Sequence, residues 1–93
     1  MWQYEAPLRD MRYVIEDVLG LPAQWATLPA FAELDADTAR QVLDEAARFA
    51  TEVLAPTNPI GDLEGCTLSN GEVRTPRGFR EAYRAFVEAG WPA

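Results

Sequence analysis

Apolar residues recur at helical spacing near the start of the chain. Leu8, Met11, Ile15 and Val18 fall three and four positions apart with Val14 and Leu19 flanking, while Arg9, Asp10, Arg12, Glu16 and Asp17 take the other side. The spacing predicts an amphipathic helix over residues 7–20. Pro7 suits its first position, where the N–H that proline lacks has no partner anyway, and Gly20 suits the left-handed residue that closes it. Residues 21–34 carry Pro22 and Pro29 and no sustained period, which predicts a connection with a short helical turn after Pro29. Trp25, Leu28 and Phe31 are expected to plug gaps between neighbouring helices. The strongest helix is predicted over residues 36–55, where Ala39, Val42, Leu43, Ala46, Phe49, Ala50, Val53 and Leu54 form one stripe. Asp35 is placed to accept its first free N–H groups, and Asp37 sits in the positive first turn. Asp44 with Arg48, and Arg48 with Glu52, stand four apart on the wet face, each pair worth ~0.3 kcal/mol. Pro56 pushes Ala55 out of the helical region and ends the helix.

The pattern then changes. Residues 57–65 read as a loop by their proline and glycine content. Asn70-Gly71 is the pair that tolerates positive φ at both corners of a two-residue turn, so residues 66–75 predict a β-hairpin with Leu68 opposite Val73 and Cys66 opposite Thr75. Two strands alone are marginal in water, so the hairpin must lean on helices. A last helix is predicted with Thr75 as cap and Pro76 in first position; Phe79, Ala82, Tyr83, Phe86 and Val87 are its buried stripe and Gly90 closes it. Trp91 follows with no later residues to pack against, which points to a cut chain or to cover by another chain. The predicted fold is mainly α: a small bundle of three principal amphipathic helices with a short β-hairpin between the last two, forming a single unit over residues 1–93 without internal repeats.

Composition supports a folded chain. Its 93 residues are 48% hydrophobic and include three Trp, three Tyr and four Phe, enough for a core. A domain of this size buries only about 60–65% of its unfolded surface, so modest stability is expected. Fifteen acidic residues against eight basic ones give a net charge of -7. That field repels a phosphate backbone and an anionic bilayer surface alike, so neither nucleic acid nor membrane is an expected partner. Cys66 is the only cysteine, which excludes an internal disulfide and a cysteine-based metal cluster and fits a reducing cytoplasm. No apolar signal region and no membrane-length apolar run is visible. Histidine is absent, which removes the usual general base and the commonest transition-metal ligand together.

The search for chemistry therefore narrows to carboxylates. Asp35-Ala36-Asp37-Thr38-Ala39-Arg40 begins like a calcium loop but places Arg40 where glycine is needed and Ala46 where glutamate is needed, so helix capping accounts for it better. Asp62 and Glu64 flank Leu63 and imply no third ligand nearby; a turn or cap role is expected. Gly61, Gly65, Gly71 and Gly78 assemble no phosphate-cradling fingerprint. Arg77, Arg80 and Arg84 make a basic edge that could meet an anion, although Arg84 can pair with Glu88 or Glu81, and a solvated face is the better account. Cys66 has no neighbouring histidine or lysine to activate it. No catalytic, cofactor-binding or metal-binding residue is assigned.

The wording of the chain carries a further signal. YEAPLRDMRYVIEDVLG resembles the short N-terminal extension of a bacterial branch of the acyl-CoA dehydrogenases; LDADTARQVLDEAARFATEVLAP, IGDLEGC and TPRGFREAYRAFVEAGW resemble the start of that family's N-terminal helical domain. The resemblance divides the chain into an extension-like part, residues 1–34, and the start of the helical domain, residues 35–93. Thr57 and Pro59 depart from the family pattern. The resemblance implies a longer flavoenzyme in which FAD takes the hydride and a glutamate acts as base on an acyl-CoA thioester. It places both the flavin-binding domain and that glutamate beyond Ala93, so FAD and acyl-CoA are implied only for the full-length family.

Two functions follow as expectations. One is an N-terminal helical fragment of an acyl-CoA dehydrogenase, not catalytic alone, cytoplasmic, with a packing and assembly role and homo-oligomerising through apolar faces that include Phe86 and Trp91. The alternative is a free-standing helical protein–protein interaction module, distinguished by the DNA downstream of Ala93. A small acyl-chain or flavin carrier ranks last.

Overall fold

The stripe of residues 8–18 winds as helix α1, Leu8–Arg12, and continues as a π-helical turn, Tyr13–Val18, in a computed structural model that describes residues 3–93. Pro7 is the N-cap, one position earlier than expected. The Leu19 N–H donates to the Val14 carbonyl at 2.9 Å, the wider bond of a π turn. That extra residue per turn breaks the period on which the stripe was drawn. Ile15 is half-buried while Val14, Val18 and Leu19 stay exposed.

Described residues form two units, Glu5–Arg48 and Phe49–Ala93, residues 3–4 going with the second. In the first unit, Gly20 (φ 58°) ends the π turn and starts helix α2, Leu21–Trp25, followed by a single 3-10 turn, Pro29–Phe31. Trp25 is half-buried, but Leu28 and Phe31 are 46% and 48% exposed and plug no gap. Short single turns cannot bring three large side chains to one face. Helix α3, Ala36–Phe49, starts as expected: Asp35 Oδ1 accepts the Thr38 N–H at 2.7 Å.

In the second unit α3 passes into another π turn, Ala50–Leu54, closed by Ala55 N–H donating to the Ala50 carbonyl at 2.7 Å. The expected loop after Pro56 is instead helix α4, Thr57–Glu64. Pro59 lies in its first turn, where backbone N–H groups lack intrahelical partners and a missing donor costs nothing. The Thr57 hydroxyl donates to the Leu54 carbonyl at 2.6 Å and ties the turn between them.

Strands β1, Thr67–Ser69, and β2, Glu72–Arg74, pair antiparallel with Leu68 opposite Val73, as predicted; Cys66 and Thr75 lie outside the ladder. Positive φ at Asn70 (52°) and Gly71 (77°) makes the two-residue turn. Helix α5, Phe79–Glu88, begins three residues beyond the proposed Pro76 start, with Gly78 as N-cap. The delay has a visible cause: Glu64 Oε2 accepts the Arg77 N–H at 3.1 Å and pins the Pro76–Gly78 turn outside the helix. The fold is thus mostly helical, with its three longest helices α3, α4 and α5 and a two-stranded hairpin between the last two. No helix among the described residues is long and apolar enough to cross a membrane.

Candidate functional site

Side chains singled out by chemistry are dispersed by the fold. Asp35 is spent on capping, and the Thr38 N–H holds its carboxyl below the ordinary aspartate range. Arg40 forms a fork on Glu16, Nη2 to Oε1 at 2.5 Å and Nε to Oε2 at 3.1 Å. Arg12 pairs with Asp44. These two pairs join residues 24 and 32 positions apart, fastening the α1 segment to α3 inside the first unit. The local pairs expected around Arg48 do not form as drawn: Asp44 is taken by Arg12, and Arg48 donates to Glu45 at 2.9 Å.

Asp62 and Glu64 share helix α4, where residues two apart do not face each other, so they make no carboxylate pair. Glu64 instead accepts from the Arg77 N–H and guanidinium, and those donors lower its pKa from the ordinary glutamate value. Cys66 is an exposed free thiol. Arg77 is engaged with Glu64, Arg80 helps wall an open basin, and Arg84 makes no ion pair among the described residues. No group of three or more His, Cys, Asp and Glu that could hold a metal ion occurs among the described residues.

The surface itself is then the candidate site. In the second unit Phe49 lies between Phe86, 6.2 Å away between ring centroids, and Trp91, 6.4 Å away; Tyr83 is 6.3 Å from Phe86. Trp91 therefore finds an apolar partner within its own unit. A β-carbon placed on Gly61 would fall 2.8 Å from Cζ of Phe79, so α4 passes with its backbone against that ring. Gly61→Val is expected to destabilise this unit by about 1–3 kcal/mol through overpacking, despite glycine's poor helix propensity. A melting curve that stays at or above the wild-type midpoint would refute the close approach. Much apolar surface of the unit stays bare: Leu63 is 86% exposed, Leu68 74%, Val73 69%, and Tyr83, at the rim of the cluster, 67%. These apolar groups stand in water among the described residues.

The long-range ion pairs were not legible in advance, because a pair 24 or 32 residues apart leaves no spacing signal. The apolar stripe of α5 is only partly covered: Ala82 is buried and Phe86 half-buried, while Phe79, Tyr83 and Val87 are exposed.

Relatives give this surface a context. Over 88 residues, 95% of this chain, it is 43% identical to the 3-methylmercaptopropionyl-CoA dehydrogenase of Ruegeria pomeroyi. It is 30% identical over 93 residues, 98% of this chain, to the broad-specificity linear acyl-CoA dehydrogenase of Mycobacterium tuberculosis. The chain is a segment of acyl-CoA dehydrogenase sequence. It spans about 15% of the length of the curated relatives it matches. No protein-family model matches it. Both of these relatives are dehydrogenases, that is, oxidoreductases. Among the described carboxylates of this chain, Asp35 caps α3, and Glu16, Asp44, Glu45 and Glu64 are held in ion pairs.

Proposed function

We propose that these 93 residues form the N-terminal helical part of an acyl-CoA dehydrogenase, serving packing and assembly and not catalysing on their own. The observation that carries the proposal is identity of 43% to a dehydrogenase across 95% of the chain, at 15% of that enzyme's length. In this reading the flavin site and the proton-abstracting carboxylate belong to other parts of the enzyme, and the chain itself binds neither FAD nor a metal. The exposed apolar groups Leu63, Tyr83 and Val87 are its packing face, and in the isolated chain the same kind of surface drives self-association.

A chimera tests this. The aligned 88 residues of the Ruegeria enzyme are replaced by those of this chain. The chimera is expected to retain flavin and to oxidise the parent's thioester, and Tyr83→Glu with Val87→Glu is expected to strip flavin from it. A wild-type chimera that folds but holds no flavin overturns the packing role. Flavin tightly held by the isolated 93-residue chain, with reduction of an electron acceptor on adding an acyl-CoA, overturns the assignment as non-catalytic.

A further inference from the structure

The hairpin is a sheet of two strands, so each strand has an outer edge. In a two-residue turn with positive φ at both corners, the flanking pair, here Ser69 and Glu72, exchanges the ladder hydrogen bonds. Alternation then makes Leu68–Val73 the non-hydrogen-bonded pair, so the N–H and C=O of Val73 point away from β1. No turn, loop or cap hydrogen bond among the described residues uses either group. Beside β2 lies an open basin of about 580 Å3, walled by all three residues of that strand and by Arg77, Arg80 and Glu81, with no residue of β1. Unpaired edge groups facing open space are a template for strand addition.

What could add is set by charge. Laid antiparallel on itself about Val73, the strand Glu72-Val73-Arg74 puts Glu72 opposite Arg74 of the other copy, Arg74 opposite Glu72, and Val73 opposite Val73. Neither Glu72 nor Arg74 makes an ion pair among the described residues. At the centre, the two Val73 residues face each other with the outward N–H and C=O groups that such a pair exchanges. Leu68 and Val73 of each copy would then align as one apolar row across four strands. Isolated two-stranded sheets are marginal, whereas three or more strands with an apolar face are stable.

We propose that the β2 edge is a strand-addition site and that its occupant is β2 of a second copy of this chain, paired antiparallel about a two-fold axis at Val73. The geometry of the hairpin carries this proposal, and it stands whether or not the family role above holds.

Sedimentation velocity of the full 93-residue chain over a concentration series tests it, with circular dichroism to verify folding. Wild type is expected to dimerise. Glu72→Arg and Arg74→Glu each set like charges opposite one another twice and are expected to weaken dimerisation about tenfold. An equimolar mixture of those two variants restores complementary pairs and is expected to associate as wild type does. Val73→Pro removes a donor the strand-paired dimer uses and the hairpin does not, and is expected to weaken dimerisation at least as much as either single reversal, leaving only such association as the exposed apolar faces of Tyr83 and Val87 supply. A wild-type chain that stays monomeric at every concentration overturns the proposal and leaves the edge to an extended segment of another polypeptide. Single reversals that dimerise like wild type, or a mixture that does not recover, overturn it as well.

Discussion

Phe49→Ala is expected to cost the unit Phe49–Ala93 about 2–3 kcal/mol, somewhat below the ~3–5 kcal/mol of a fully buried phenylalanine because this ring is half-buried. The figure has two physical sources. Removing the ring takes apolar area out of a unit whose buried residues, among those described, are Pro76 and Ala82 alone, so little else can compensate. It also removes two tilted aromatic contacts at once, to Phe86 and to Trp91, each worth ~0.5–1.5 kcal/mol beyond area burial. Trp91 loses its apolar neighbour in the same step, so its emission should shift to the red while the urea midpoint falls. Phe49→Leu, which refills part of the volume, is expected to recover about half of the loss. A variant with unchanged midpoint and unchanged emission would show that Phe49 does not hold α5 and Trp91 in place.

Local signals were the legible part of this chain. Asp35 before an apolar stripe marked the start of α3 to the residue, and Asn70-Gly71 between short β-prone runs marked the hairpin and its register at Leu68 and Val73. Both depend on chemistry within four residues. The misreadings share a different cause. Proline content predicts a loop over residues 57–65, but Pro59 falls in the first turn of α4, where its missing donor has no consequence. Pro76 reads as a helix start, but Glu64, distant in sequence, claims the next residue's N–H and delays α5 to Phe79. The π turns at Tyr13–Val18 and Ala50–Leu54 shift the face that a 3.6-residue period draws, and no composition rule marks them. At the surface, the sequence named apolar residues but could not say which stay uncovered. Trp91, the residue that looked most in need of a partner, has Phe49, whereas Tyr83 and Leu63 stand bare.

Acid is expected to unfasten both units through carboxylates already tied to donors. The Arg40 fork holds Glu16 below the ordinary glutamate range, the Thr38 N–H does the same for Asp35, and the Arg77 N–H and guanidinium do so for Glu64. Each group is therefore ionised in the folded chain at pH values where it is partly protonated in the unfolded one. The unfolded chain binds more protons, and stability must fall with falling pH. The contribution is fully present above the ordinary carboxylate range, about pH 5, and is lost progressively as pH drops through ~4 and on through the lowered folded values. In Glu5–Arg48 the consequence is specific: protonating Glu16 releases the α1 segment from Arg40 of α3, leaving Arg12–Asp44 as the long-range ion pair between them among the described residues. In Phe49–Ala93, protonating Glu64 frees the Arg77 turn that sets where α5 begins. Thermal melts followed by circular dichroism between about pH 7 and 3 at constant ionic strength should show the midpoint falling. Glu16→Gln and Glu64→Gln should start lower at neutral pH and decline less steeply, since each has already lost the charge that the acid removes. Added salt should lower the wild-type midpoint at neutral pH, because all of these pairs face solvent and are screened. If the double variant Glu16→Gln, Glu64→Gln reproduced the wild-type pH profile, the acid response would have to arise elsewhere, and these two carboxylates would be ornaments of the surface and not its fastenings.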